Sequence, residues 1–278
     1  MKFDLDTAWR DTTRLAGDNV GLLSAIAGIF VFLPYAALLL VLPTIAPLPE
    51  LPEGATLEMA MTAVRAFYAQ TWWAFVLAGI VVTIGMLSMV ALLGRRERPT
   101  VGEAIAIGVK SILTAWLTLF LQNIALDLVV LIVIGAAGAT GVPALIFVAT
   151  IAAIGLALNL AARLSLAIPV IAVDGEFNPL RVIAASWTLT RGHGSRLLLF
   201  YVLLALAGFV VVTVAMLVSG LLLAIGGAAF EEAGGALVSA AIITGLILLV
   251  AAVLAAVHRQ LRRMHQVGAS VPRAGGEG

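Results

Sequence analysis

The side chains that most often do chemistry are scarce in this chain, and they do not converge. Cysteine is absent, which excludes disulfides, thiolate metal sites and thiol nucleophiles. Histidine occurs three times, as His193, His258 and His265. His258 and His265 share a helix face at seven-residue spacing, whereas a helical zinc pair needs two histidines four residues apart. Ser165 lies near Arg163 and Asp174 in sequence, but no base is spaced to activate it. Gly226, Gly227, Gly234 and Gly235 flank a turn without the lysine and hydroxyl of a phosphate loop. No catalytic set, metal site or cofactor is expected, and nothing beyond charge suggests nucleic acid as a partner.

Two groups of polar side chains remain. Arg163, Arg181 and Arg191 carry guanidinium groups that match the geometry of a phosphate or lipid headgroup. Arg163 also admits a structural reading, as an anchor that snorkels to the membrane edge or pairs with Asp174 or Glu176. Gln122, Asn123, Asp127 and Asn159 fall inside apolar stretches. Burying an ionisable group in a span costs about 2.5–3.5 kcal/mol on the insertion scale. Asp127 is therefore a candidate for inter-helical contact with Gln122, Asn123 or Asn159, for a solute or proton path, or for exposure at the outer interface.

The elements that must position these groups are membrane-spanning helices. Hydrophobic residues make up 62% and charged residues 11% of the 278, with a mean hydropathy of +1.14. A soluble domain carries about 25% charged residues, so this chain has too little polar surface to face water. Six apolar runs cover about 20–41, 71–93, 112–140, 142–162, 197–225 and 236–257, each long enough to cross a bilayer. They predict an all-α polytopic bundle with six transmembrane helices, a single domain over 1–266 and a disordered tail over 267–278. The first run has too long an apolar core for a removable signal peptide and is read as an uncleaved span. Spans beginning at Ile112 and Val142 would place Asp127 some 23 Å from the inner side and Arg163 about 31 Å along its helix, at the inner boundary.

Charge asymmetry sets the expected orientation. Lys2, Arg10, Arg14, Arg95, Arg96, Arg98, Lys110, Arg181, Arg191, Arg196 and the tail arginines lie in alternate links; the other links carry only Arg65 among basic residues. Both termini are therefore expected in the cytoplasm. Fourteen of the 16 basic residues are arginine, a composition that fits a bacterial inner membrane protein. His258, Arg259, Arg262, Arg263 and His265 form a basic helix end, suited to retention and to attraction of anionic lipid at about 1 kcal/mol per basic residue.

The links have readable local signals. Pro43, Pro47, Pro49 and Pro52 predict an extended, polyproline-like path, after which a helix resumes near Thr56 and leads to Trp72 and Trp73 at an interface. Thr100 and Glu103 have capping-box spacing. Asn178 and Pro179 suit the start of a helix that Gly192 ends. With Leu5, Ala8, Trp9 and Thr12 near the N-terminus, these signals predict in-plane amphipathic helices that feed outward spans. Ala149, Ala153, Ala157 and Ala161 repeat every four residues and are read as a packing stripe.

One stretch is distinctive. Arg163 is followed by Pro169, Asp174 and Gly175, then by Ser186, Trp187, Leu189, Thr190, Arg191 and Gly192. This pattern resembles the integral membrane domain found in some glycerophosphodiester phosphodiesterases and in stand-alone bacterial membrane proteins. The resemblance implies a six-span module. It does not imply catalysis, because the family's soluble domain is similar to a metal-dependent barrel with acid–base histidines and metal-binding carboxylates. None of the three histidines here stands in a His-Arg-Gly or Glu-x-Asp context.

The expected function is a non-catalytic membrane module that contacts lipid headgroups or organises partner membrane proteins, a second copy of itself included, through the face from Arg163 to Gly192. The alternative is a transporter or permease for a small solute or lipid, with Gln122, Asn123, Asp127 and Asn159 lining its path and Pro169 breaking a helix.

Overall fold

The computed structural model describes residues 3–47, 52 and 54–270, and among the described residues every regular element is helical. Helix α1 (Leu5–Asp18) begins at Asp4, whose side chain accepts the Thr7 N–H. The first span is made of α2 (Val20–Ala27), a π-helical turn (Gly28–Phe32) and α3 (Leu33–Ile45). Two long helices follow, α4 (Leu57–Gly94) and α5 (Val101–Gly138). Next come α6 (Pro143–Leu164), the short α7 (Ala167–Ala172) and α8 (Pro179–Thr190). Helices α9 (Gly194–Ala224) and α10 (Ala228–Ser270) complete the described chain.

Six stretches are long and apolar enough to cross a bilayer: Val20–Ile45, Leu57–Gly94, Val101–Gly138, Pro143–Ala172, Gly194–Ala224 and Phe230–Gln266. Going round the bundle, α4 packs on α5, α5 on α6, α6 on α9, α9 on α10 and α10 back on α4. The first span lies against α4 and α10. Helix α7 touches α4, α5, α8 and α10, so it plugs one end of the ring.

That end holds most of the core. Leu87 to Leu93 on α4 and Ala251 to His258 on α10 are buried without interruption. A helix buried on every side has neighbours on every side, so these segments form the axis. Phe3 and Ala8, Leu23 and Ile26, Ala104 and Ala115, Val182 and Leu197 close around them. Toward the opposite end, buried side chains thin out to scattered positions such as Ala74, Ala153 and Ala240. Phe147, Phe209 and Leu217 are exposed there, as lipid-facing residues are.

Two local features show how sequence sets the packing. Pro34 has no N–H to give the carbonyl of Phe30, four residues back. The Leu33 N–H instead reaches the Gly28 carbonyl five residues back, and this makes the π turn. Phe30 then meets α4 at Gly85, where a β-carbon would stand 2.5 Å from the Phe30 Cβ. Helices α4 and α5 cross at Gly108, where a β-carbon would stand 2.6 Å from the Ile84 carbonyl oxygen.

The expected caps are present. Thr100 and Glu103 form a reciprocal capping box and Asn178 caps α8; Thr56, where a helix was expected to resume, is the cap of α4. Several boundaries differ from the sequence reading. Helix α3 runs through Pro43 to Ile45, because a proline is tolerated where neighbouring helices support the freed carbonyl. Of the proline-rich link beyond it, only Pro47 and Pro52 are among the described residues. Helices α4 and α5 run unbroken from their caps into their spans, so neither has a separate in-plane helix. Helix α10 continues to Ser270, past the expected start of a disordered tail at 267; residues 271–278 lie outside the described residues.

Candidate functional site

The fourth span is broken, and the distinctive sequence pattern surrounds the break. Helix α6 stops at Leu164, a turn takes Ser165 and Leu166, and α7 starts at Ala167. Pro169 supplies no N–H to the carbonyl of Ser165, so backbone acceptors are freed inside an apolar bundle. A buried carbonyl left alone costs about 1–3 kcal/mol. Side chains from other helices meet this need. Ser186 and Thr190 on α8 donate to the Arg163 carbonyl at 2.8 and 3.2 Å. Gln122 on α5 donates to the Leu164 carbonyl at 3.2 Å. Ser165 donates to Ala162 and lies 2.9 Å from the Tyr201 hydroxyl on α9.

The Arg163 side chain is held by the same motif. Its guanidinium lies 4.7 Å from the centre of the Trp187 ring. Its Nε donates to Asn159 Oδ1 at 3.1 Å. A β-carbon at Gly194 would stand 2.8 Å from that Nε, so the glycine leaves room for the stacked pair. Such a cation–π contact is worth about 0.5–2 kcal/mol. The two terminal nitrogens of Arg163 make no hydrogen bond among the described residues. Arg191 is exposed at the end of α8 beside this corner, and Arg181 is exposed at the other end, roughly 15 Å along the helix. The structure thus brings Arg163 and Arg191 to one corner and sets Arg181 apart.

Asp174 does not pair with Arg163. It sits in the turn after α7, where Gly175 takes a left-handed φ of 72° that glycine tolerates. Its carboxylate faces α10, where it lies 3.1 Å from His258 Nε2 and bonds Arg262. Arg95, at the end of α4, donates from Nε to the Ala172 carbonyl at 2.8 Å. The ends of α4 and α7 and the C-terminal part of α10 are therefore fastened at one turn.

Burial alone would raise the Asp174 carboxyl. The hydrogen bond and charge of His258, joined by those of Arg262, outweigh it and hold the carboxyl below its ordinary 3.8. A lowered folded-state value means stability that is present in full above that ordinary value and lost as pH falls through the folded one. We expect the melting temperature in detergent to fall as the pH drops below about 4, and Asp174→Asn to be less stable at neutral pH with a weaker acid dependence. An unchanged acid profile in the variant would show that this turn bears no load.

Next to this turn is an open basin of about 1260 Å³. Helix α1, the link between α4 and α5, the Asp174 turn and the end of α10 form its walls. Arg14, Arg95, Arg96, Arg98, Arg259, Arg262 and Arg263 line it, against Asp11, Asp18, Glu97 and Asp174. Half of the chain's fourteen arginines thus share one hollow, with an excess of three positive charges. Arg98 has a φ of 49°, the left-handed region, just before Pro99. For a residue with a β-carbon this costs about 1–3 kcal/mol.

The intramembrane polar group does not assemble. Gln122 serves the helix break and Asn159 serves Arg163. Asn123 bonds back to the Leu119 carbonyl of its own helix. Asp127 is exposed on α5, with no hydrogen bond or ion pair among the described residues. The expected Asp127 contact with Gln122, Asn123 or Asn159 is therefore not formed: Asp127 lies on the exposed side of α5, whereas Gln122 is buried against the helix break. His258, Arg95 and Arg98 were missed as site residues. The Asp-Gly turn signalled a need for a counter-charge, but nothing in the spacing pointed to a partner 84 residues away.

Residues 139–262 match the family described as the membrane domain of glycerophosphoryl diester phosphodiesterase. The match runs from the turn before α6 to Arg262. It includes the helix break, the Asp174 turn, α8 and both α10 partners of Asp174. The chain is thus a multi-pass membrane protein in which the resemblance carried by residues 163–192 extends over three of the six spans. No curated protein and no solved structure matches it.

Proposed function

We propose that this chain, with a glycerophosphoryl diester phosphodiesterase-type membrane domain over residues 139–262, acts as a non-catalytic module of a bacterial cytoplasmic membrane. Both termini and the arginine-rich end face the cytoplasm, following the charge asymmetry of the links. The module contacts anionic lipid headgroups of the inner leaflet through Arg163, Arg181 and Arg191.

The observation that supports this reading is the state of Arg163. Trp187 and Asn159 fix its guanidinium while its terminal nitrogens are left without a partner among the described residues. A pre-oriented guanidinium loses little freedom when it accepts a phosphate in bidentate fashion. Trp187 and Trp9 are partly exposed at the same end, where aromatic side chains mark a membrane interface.

Selectivity for phosphatidylglycerol over phosphatidylcholine, read with spin-labelled lipids around the reconstituted protein, should fall when each of the three arginines becomes glutamine, by about fivefold per lost charge at about 1 kcal/mol each. Unchanged selectivity would remove the headgroup reading. The broken fourth span favours a second reading, transport of a small solute or lipid, since transporter sites use discontinuous helices. Against it, Gln122, Ser165, Ser186 and Thr190 at this break are engaged with backbone carbonyls or a neighbouring hydroxyl.

A further inference from the structure

We propose that the arginine basin, distinct from the Arg163 corner, is a binding site for a phosphate-bearing polyanion, with Arg96, Arg98 and Arg259 as its principal contacts. Charge asymmetry explains why basic residues lie at this end of the bundle. It does not explain why they converge from three separate segments on one hollow, where each guanidinium raises the cost of the next.

The arginines of the basin fall into two sets. Four are engaged within the protein: Arg14 with Asp18, Arg95 with the Ala172 carbonyl, Arg262 with Asp174, and Arg263 near Asp11. Arg96, Arg98 and Arg259 form no ion pair or side-chain hydrogen bond among the described residues. They come from the link between α4 and α5 and from α10, so a ligand between them is approached from two sides. Arg95 and Arg262 tie the basin's walls to the Asp174 turn, and the free set is left to face an anion.

Arg98 supplies an independent observation. It keeps a left-handed backbone next to Pro99, on the rim of this hollow. Glycine or asparagine would hold that turn with less strain. Strain retained at a residue whose side chain lines a charged cavity points to a use for that side chain. The ligand chemistry follows from the donors. Guanidinium groups present flat pairs of N–H groups that suit phosphate oxygens. The excess of three charges calls for a group with more than one negative charge, such as a pyrophosphate or a phosphate monoester. Such a group could belong to a soluble phosphorylated compound or to a lipid headgroup.

The test uses the full chain in neutral-detergent micelles and in nanodiscs. Pyrophosphate binding is read by calorimetry. Arg96→Gln with Arg259→Gln should weaken it by about tenfold or more. Arg98→Gly should weaken it as well without lowering the melting temperature, since it relieves the strained backbone. That separates loss of a contact from loss of the fold. Phosphatidic acid placed in phosphatidylcholine nanodiscs then tells the two sources apart. If it competes with pyrophosphate, a lipid headgroup fills the basin; if it does not, a soluble phosphate compound does. Absence of pyrophosphate binding in both settings would overturn the proposal. So would binding that is unchanged in the double variant. The headgroup reading of Arg163 stands or falls separately, because none of the substituted residues belongs to that corner.

Discussion

Gly108→Ala should separate α4 from α5 and cost about 1–3 kcal/mol, the usual effect of overfilling a close-packed core. The added methyl would meet the Ile84 carbonyl oxygen and the Ser88 hydroxyl, both at 2.6 Å. The hydroxyl can rotate away, but the carbonyl belongs to the α4 backbone and cannot. Removing the Ser88 side chain would therefore not rescue the variant. Gly102, one and a half turns earlier on the same helix, has nothing within 4 Å of its own added β-carbon. Gly102→Ala should be neutral or stabilising by up to about 1 kcal/mol, from helix propensity alone. Unfolding both variants in mixed micelles gives the comparison. Equal effects would mean that the helices do not touch at Gly108.

The second large effect is expected at the helix break, and it should be non-additive. The Arg163 carbonyl accepts from either Ser186 or Thr190. Ser186→Ala leaves the threonine, and Thr190→Val leaves the serine, so each single variant should cost less than about 1 kcal/mol. The double variant leaves a carbonyl with no donor in a dry bundle and should cost about 1–3 kcal/mol. The excess over the sum is the coupling energy that a double-mutant cycle measures. Simple additivity would mean that the two hydroxyls serve different acceptors. Thr190 gives that outcome a specific form, since its hydroxyl also lies 2.9 Å from the Ser186 carbonyl.

The Gly108 contact sets where the spans cross. The Ser186 and Thr190 contacts set where a span ends, and through Trp187 they fix the guanidinium that the headgroup reading uses. A loss of lipid selectivity in the Ser186/Thr190 double variant, with Arg163 itself unchanged, would tie the break to the proposed contact.

What the amino-acid sequence determined by itself was local. The run lengths gave six spans, because about 20 apolar residues match the hydrocarbon thickness and a helix satisfies its own polar backbone groups there. The caps at Thr100 and Asn178 were legible because a cap and its targets are two or three residues apart. The motif from Arg163 to Gly192 was visible as a pattern, but its parts had no assigned partners. That Ser186 and Thr190 cap a broken helix, that Asp174 belongs to Arg262 and His258, and that Asp127 has no amide beside it emerges with the packed bundle alone. These are contacts between side chains on different helices, and hydropathy is silent about which way a helix turns about its own axis. That rotation is set by close approaches such as Gly85 on Phe30 and Gly108 on Ile84. The same rotation gathers arginines from α1, the link between α4 and α5, and α10 into one basin. In sequence they were only a topological signal.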